Sequence, residues 1–171
     1  MKKKIAIVAL LVLCLAAPVF AGNTIGASKR NTLGVGLNLG TNTGVGFRYG
    51  IGNFDVIANF GLDLLHIGSN GLAFGGDAGV AYQVYNFDLG HGNYMPLTVG
   101  LVGVASFAAS DNGVDFDLSA LIPIGIEYTF QDVPITLYLR LAPGMRIMQN
   151  TAIDLGFDFG AYIGALWNFD L

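Results

Sequence analysis

Few side chains in this chain could attack a substrate or move a proton. There are two histidines, His66 and His91, and one cysteine. His66 lies three residues from both Asp63 and Ser69, which supplies the residue types of a nucleophilic triad. Triads are defined by geometry and not by closeness in sequence, and both histidines fall near predicted turns. We therefore predict no catalytic residue.

Metal and cofactor chemistry lack a motif as well. The chain has no Cys/His set with the spacing of zinc ligands and no calcium-loop spacing. Its clustered glycines, such as Gly75-Gly76, open no predicted helix and so match no phosphate-binding loop. We predict neither a metal nor a cofactor.

A set of arginines and carboxylates could do electrostatic work. Arginine binds carboxylate through paired, charge-assisted hydrogen bonds, so a closed interior could hold an ion-pair network of these residues, with Asp77 and Asp158 as partners of the arginines. The surplus of acids could alternatively line a narrow path that favours cations. The predicted inward-facing set is Arg48, Arg140, Arg146, Glu127, Asp55, Asp63, Asp77, Asp117, Asp154 and Asp158.

The elements that carry these charges are β-strands. From Ile153 to Leu171 every odd-numbered residue is apolar, whereas the even positions carry mainly Asp, Gly and Asn. A period of two is typical of a strand with one apolar and one polar face. The same pattern recurs with its phase reset at short turns rich in Gly and Asn. The eight predicted segments cover residues 33–40, 45–49, 54–64, 72–84, 97–107, 116–130, 135–141 and 153–171.

The longest connections are predicted at 86–96 and about 108–115, which leaves no room for a soluble domain. Pro123 and Pro143 fall within strand patterns and predict bulges or kinks. Eight is an even number of strands and the smallest usual size for a transmembrane barrel. We therefore predict an all-β fold, an eight-stranded antiparallel up-and-down transmembrane β-barrel.

Residues 1–21 are predicted to be a cleaved signal peptide. Lys2, Lys3 and Lys4 precede a short apolar run, and small residues stand before the predicted cleavage at Gly22. Residues 22–31 would form a short extension and 32–171 the barrel. Cys14 is a poor lipidation site because a bulky leucine precedes it.

Charge excludes one class of partner. Losing the three leader lysines leaves five bases and all 12 acids, a formal net charge of −7. Nucleic acid is therefore not an expected partner. Only 12% of residues are charged, about half the usual share, yet no helix-length apolar segment follows the leader. A closed barrel is the membrane-compatible form that remains.

A soluble barrel of the lipocalin kind also alternates, with its apolar face around a ligand cavity. Its outer face should then be rich in Lys, Glu and Thr, but here the non-apolar face is mainly Gly, Ala and Ser. Aromatics cluster at strand ends, as in the girdles of membrane barrels, with Phe74, Phe107 and Phe116 predicted at one rim. The other rim is predicted to hold Tyr49, Phe54, Tyr82, Tyr128, Phe130, Trp167 and Phe169.

The chain resembles the small outer-membrane barrels of the OmpX and OmpA-transmembrane type. It is most similar to an OmpX-like domain-of-unknown-function family from spirochaetes and other Gram-negative bacteria. The stretches that carry the likeness are 33–44, 85–89, 122–130 and 133–144. The resemblance implies an outer-membrane location, lipid as a partner, and a role in envelope integrity or surface interaction.

The terminus looks like the signal read by the outer-membrane assembly machinery, through Gly164, Trp167 and Phe169, although it continues to Leu171. We expect a monomeric barrel with a lumen plugged by ion pairs and a structural or surface-interaction role, and no enzyme activity. Three alternatives stay open. They are a narrow cation-favouring channel, an adhesin or host-protein binder that uses the loops at 66–71 and 108–115, and a lipid enzyme that uses His66.

Overall fold

A computed structural model describes residues 32–64, 73–91, 93–110 and 113–171. These residues form nine β-strands. The strands are β1 (Thr32–Gly40), β2 (Asn42–Ile51), β3 (Phe54–Asp63), β4 (Ala73–Gly90), β5 (Asn93–Ser110), β6 (Gly113–Leu121), β7 (Ile124–Thr129), β8 (Ile135–Gln149) and β9 (Ala152–Asp170). In the described ranges no helix is long and apolar enough to cross a membrane. The predicted signal peptide and extension lie outside the described residues.

The strands close into a ring. Each pairs antiparallel with its neighbours in the order β4-β3-β2-β1-β9-β8-β6-β5, and β4 also pairs with β5. The first and last strands meet through nine residue pairs, from Thr32–Asp170 to Gly40–Tyr162. The predicted all-β, antiparallel, up-and-down barrel is therefore confirmed.

Nine strands fill eight positions around this ring. β6 and β7 both lie between β5 and β8. Pro123 has no N–H and interrupts the segment between them. Bonding continues on both sides of the gap, since Pro123 O accepts from Gly100 N at 2.8 Å and Ile122 N donates to Pro143 O at 2.9 Å. The predicted single segment at 116–130 is thus one position made of two strands.

The register fixes how narrow the barrel is. A path that starts at Leu33 and steps to the paired residue on each next strand reaches β9 at Phe159. Leu33 itself pairs with Phe169 of β9. One circuit of the ring therefore shifts the register by ten residues. Such a stagger over eight positions tilts the strands by about 40°, and a barrel of eight strands has room inside only for side chains.

The predicted alternation holds along the walls. On β9, Ile163, Trp167 and Phe169 are exposed on the outside, whereas Tyr162 and Leu166 are buried inside. The inside is not purely polar, however. A cluster of buried apolar side chains fills its middle, made of Ile57, Ala81, Val102, Val104, Leu121, Tyr138, Ala142, Tyr162 and Leu166.

The prediction of two long connections, at 86–96 and 108–115, is wrong. β4 runs to Gly90 and β5 starts at Asn93, and β5 and β6 continue to Ser110 and from Gly113. The alternation looked broken after residue 84 because a register shift lies between Gln83 and Tyr85. A bulge adds one residue and moves every later side chain to the other face.

The barrel has two ends. The end that contains Thr32 and Asp170 is called the terminal end, and the end with the β1–β2 and β8–β9 turns is called the hairpin end. The β8–β9 turn places Asn150 and Thr151 in the left-handed region, with φ of 51° and 64°. β9 extends beyond β1 at the hairpin end. The last residue of β1 that pairs with β9 is Gly40, which lies opposite Tyr162.

Candidate functional site

The centre of the lumen holds two arginines on one carboxylate. Glu127 points inward from β7 and is almost completely buried. Arg140 of the neighbouring β8 donates from Nη2 to Oε1 at 2.6 Å, and Arg48 of β2 donates from Nη1 to Oε2. β2 and β7 lie on opposite walls. This arginine–glutamate clamp therefore spans the lumen.

Arg48 has further partners toward the terminal end. Its Nη2 donates to Asn168 Oδ1 at 2.8 Å and to Thr136 Oγ1 at 3.4 Å. Asn168 in turn donates from Nδ2 to Thr136 Oγ1 at 2.9 Å and to Pro134 O at 3.2 Å. The clamp is thus tied to the start of β8 and the end of β9, and the guanidinium cannot swing without breaking neutral hydrogen bonds as well.

Arg140 connects the clamp toward the hairpin end. Its guanidinium carbon lies 4.3 Å from the centroid of the Tyr138 ring, which is a cation–π contact. Tyr138 donates its hydroxyl to Asn38 Oδ1 at 2.7 Å, and Asn38 Nδ2 donates to Asn42 O at 2.5 Å. One arginine therefore links the central ion pairs to the first strand pair.

Asp77 is held by amides and not by an arginine. Asn59 Nδ2 donates to Oδ1 at 2.7 Å and Asn42 Nδ2 to Oδ2 at 3.4 Å. Arg140 also attracts Asp77 and the buried Asp55 electrostatically. Buried charges are tolerated when they are paired and fully hydrogen-bonded, and this arrangement is suited to rigid packing.

Three acids lie near the hairpin end. Asp63 is buried and accepts a hydrogen bond from Ser106, Asp117 accepts from the backbone N–H of Asn150 at 2.7 Å, and Asp158 accepts from that of Phe159 at 2.8 Å. These carboxylates line a cavity of about 30 Å³. A space of this size holds a water molecule or two, so it gives no passage to a larger solute.

Arg146 and Asp154 do not belong to the enclosed network. They form an ion pair with each other at 2.8 Å on the β8–β9 hairpin, and their side chains are 31% and 50% exposed. The expected pairing of Asp77 and Asp158 with the arginines is replaced by hydrogen bonds to amides and to the backbone. Inside the lumen, Arg48 and Arg140 each form an ion pair with Glu127, as the predicted network required.

The predicted rim aromatics lie outward at the ends of the strands. At the terminal end the rings of Phe54 and Tyr82 are 4.8 Å apart, and those of Tyr128 and Phe130 are 5.0 Å apart. Tyr49, Trp167 and Phe169 belong to the same level, since Tyr49 and Phe169 both pair with Leu33. At the hairpin end, Phe107 and Phe116 are 5.0 Å apart, beside Phe74.

Gly164 of the predicted assembly signal also has a packing role. A Cβ there would lie 2.4 Å from the Tyr138 hydroxyl. His91 sits exposed in the β4–β5 turn with φ of 56°, while His66 and Ser69 lie outside the described residues. Within the described part of the chain, no three His, Cys, Asp or Glu side chains form a group that could hold a metal ion.

The prediction missed the neutral half of the network. Asn38, Asn42, Asn59, Asn168 and Thr136 provide most of the hydrogen bonds around the charges. All are buried at inward positions. Their place in the alternating pattern, on the same face as the charges, could have identified them from the sequence. No family model, curated protein or solved structure matches the chain.

Proposed function

We propose that the protein is an integral β-barrel of the bacterial outer membrane with a closed lumen and a structural role in the envelope. The observation that carries this proposal is the outer surface. On a closed barrel whose charges point inward, large apolar side chains such as Leu37, Phe60, Leu101 and Ile163 are more than half exposed. Soluble monomers rarely expose a continuous apolar surface of this kind.

The spacing of the aromatics supports a membrane band. Trp167 and Phe157 lie on the same face of β9, ten residues apart. With a rise of about 3.4 Å per residue and a tilt of about 40°, their levels differ by about 25 Å along the barrel axis. This equals the apolar band of about 25 Å between the girdles of outer-membrane barrels.

The lumen supports a structural role over conduction. The clamp of Arg48, Glu127 and Arg140 crosses the full width of the interior, and the buried apolar cluster lies beside it. Ions cross a pore only where water or polar groups replace their hydration along the whole path. Planar-bilayer recordings of the purified protein should therefore show no discrete openings. Regular openings that Arg140→Ala alters would favour the cation channel instead.

Gel mobility tests the membrane barrel directly. The outer-membrane fraction is run unheated and boiled, and a compact band that shifts on boiling is expected. Leu139→Lys, which puts a charge on the exposed outer face of β8, should reduce recovery in that fraction. Asp132→Lys is the matched control, because position 132 lies in the exposed β7–β8 turn. A soluble periplasmic protein with no band shift would reject the proposal.

One observation favours surface interaction as a second candidate function. Ala161 uses both its N–H and its C=O to bond Thr41. Phe157 and Phe159 direct the same groups toward the β1 side, because the pairing of β9 with β8 stays regular as far as Gly156. Beyond Ala161, no described strand lies beside β9 on that side. Ile153, Leu155 and Phe157 are accordingly 82%, 67% and 75% exposed. An open edge of this kind can accept a strand from a partner protein.

We assign the adhesive role in this second candidate function to the edge. Of the two predicted loops, 66–71 lies outside the described residues and much of 108–115 is strand. Phe157→Pro removes one edge N–H that faces away from β8. It should reduce binding of cells to protein-coated surfaces, while Phe157→Ala, which keeps the N–H, should not. Equal binding by both variants, each with a normal gel shift, would count against this second function.

A further inference from the structure

The β4–β5 hairpin continues beyond the rest of the wall at the terminal end. β3 pairs with β4 only as far as Phe54–Tyr82, and β7 pairs with β5 only from Val99 to Leu97. Tyr85 therefore pairs with the last β5 residue that also contacts β7, Leu97. The described residues from Asn86 to Pro96 pair only with each other, through four ladder positions and a tight turn. We call residues 85–96 the arm.

The bulge between Gln83 and Tyr85 decides which side of the arm is apolar. After it, Tyr85 and Phe87 lie on the outer face opposite Leu97 and Met95 and are 56% and 40% exposed. Leu89 falls in a second register shift, at the turn, and is 51% exposed. The rings of Tyr85 and Phe87 are 4.9 Å apart. If Val84 were paired in a regular ladder, the alternation from Tyr82 would place Asn86 and Asp88 outward in their place. The bulge thus keeps the apolar outer face of the barrel continuous onto the arm.

The arm is braced in this position. The Tyr128 hydroxyl donates to Asn93 Oδ1 at 3.4 Å, and Gln131 Nε2 donates to the carbonyl oxygen of His91 at 3.3 Å. Both contacts join the arm to the β7–β8 end of the wall. They hold the apolar face in line with the barrel surface.

Along the barrel axis, the arm lies just beyond the aromatic residues of the terminal end. Tyr85 is three residues from Tyr82, which belongs to the terminal-end aromatics. At about 2.5 Å of axial rise per residue, Phe87 lies about 5 Å and Leu89 about 10 Å beyond Tyr85. The polar headgroup layer of a bilayer is about 5–8 Å thick on each side, and aromatic rings are enriched there.

We propose that the arm lies in the lipid headgroup layer at the terminal end and anchors the barrel against that leaflet. This inference rests on the proposed membrane location. Its single charged residue is Asp88, so the arm offers no cationic attraction to a partner. Its outer apolar side chains continue those of the lipid-facing wall, and lipid is the occupant that covers both surfaces without a break.

Fluorescence quenching tests the anchor. The chain has one tryptophan, Trp167, so Phe87→Trp in a Trp167→Phe background gives a single reporter on the arm. This variant and the unchanged protein, which carries Trp167, are each refolded into phosphatidylcholine vesicles. The vesicles carry quenchers at the headgroup or at set depths along the acyl chain. The arm reporter should lose most emission with headgroup quenchers, and Trp167 with shallow acyl-chain quenchers.

The outcomes separate this inference from the proposed function. Quenching of Trp167 by lipid, but of the arm reporter only by aqueous acrylamide, would overturn the anchor and leave the membrane barrel intact. Protection of the arm reporter from both quencher types in native outer membranes would overturn it in favour of a protein partner. Absence of lipid quenching at both positions would reject the membrane location and the anchor together.

A second reporter, Asn86→Trp in the Trp167→Phe background, tests which face of the arm the bulge turns outward. Asn86 lies on the opposite face from Phe87, so this reporter should show much weaker quenching by headgroup labels. Gel mobility shows first that the variant still closes its barrel. Equal headgroup quenching of the reporters at positions 86 and 87 would contradict the role given to the bulge.

Discussion

Arg48 of β2 and Glu127 of β7 form a buried ion pair across the full diameter of the barrel, because their strands lie four positions apart in a ring of eight. Arg140 occupies the second oxygen of the same carboxylate. One glutamate thus pairs with two arginines in a place without bulk water, and Arg140 also attracts the buried Asp55 and Asp77. Removing a single partner of such a group leaves a buried charge without compensation.

We predict that Glu127→Gln destabilises the barrel by about 3–5 kcal/mol, the usual cost of breaking a buried pair. The measurement is urea unfolding in lipid vesicles, followed by Trp167 fluorescence and by the gel shift. Asp154→Asn is the matched control, because it breaks the half-exposed pair with Arg146, which should cost less than about 1 kcal/mol. Equal losses in the two variants would show that the clamp adds nothing to stability.

Replacing all three residues of the clamp should destabilise the barrel much less than removing one partner. The triple variant Arg48→Met, Glu127→Leu and Arg140→Met removes all three charges of the clamp together, and only the longer-range attraction of Arg140 for Asp55 and Asp77 is lost with them. Buried ion pairs exchanged for apolar residues of similar volume are often neutral or stabilising. We expect the triple variant to unfold at a higher urea concentration than Glu127→Gln. The reverse order would mean that the charges specify the barrel itself, beyond their mutual compensation.

Gly164→Ala should destabilise the barrel by about 1–3 kcal/mol, as overpacking does. The new Cβ would lie 2.4 Å from the Tyr138 ring and 2.5 Å from Leu37 O, so Tyr138 would have to leave Asn38. Gly103→Ala is the control, since a Cβ there meets nothing within 4 Å. Refolding from urea without any assembly factor measures this effect apart from the assembly signal. A normal Gly164→Ala barrel that is poorly inserted in cells would instead support the signal role.

Thr151→Gly should stabilise the tip of the β8–β9 hairpin. A β-branched residue at φ of 64° is strained, and it is held there by the bond from its N–H to Phe116 O at 3.0 Å. Glycine adopts this conformation freely, so hydrogen exchange of the residue-151 amide should slow. Thr151→Ala, which still has a Cβ, should show much less slowing. Faster exchange in the glycine variant would mean that chain flexibility outweighs the strain.

Much of the fold was readable because alternation is a local property. A strand turns successive side chains to opposite faces whatever it pairs with, so the sequence alone placed Arg48, Glu127 and Arg140 inside and Trp167 and Phe169 outside. Prediction from alternation failed where one extra residue interrupted the two-residue period. The bulge at Gln83–Tyr85 made the strand at 85–90 look like a loop, because its register depends on β5.

The sequence by itself determined the fold class, the turns between most strands and the inward position of Arg48, Glu127 and Arg140. Only the tertiary structure decided that Glu127 takes both arginines, that Asp77 takes amides, and that Arg146 stays with Asp154. Partners across a barrel are set by its closure and stagger, which sum the registers of all its strand pairs. Periodicity within one segment carries no information about that sum.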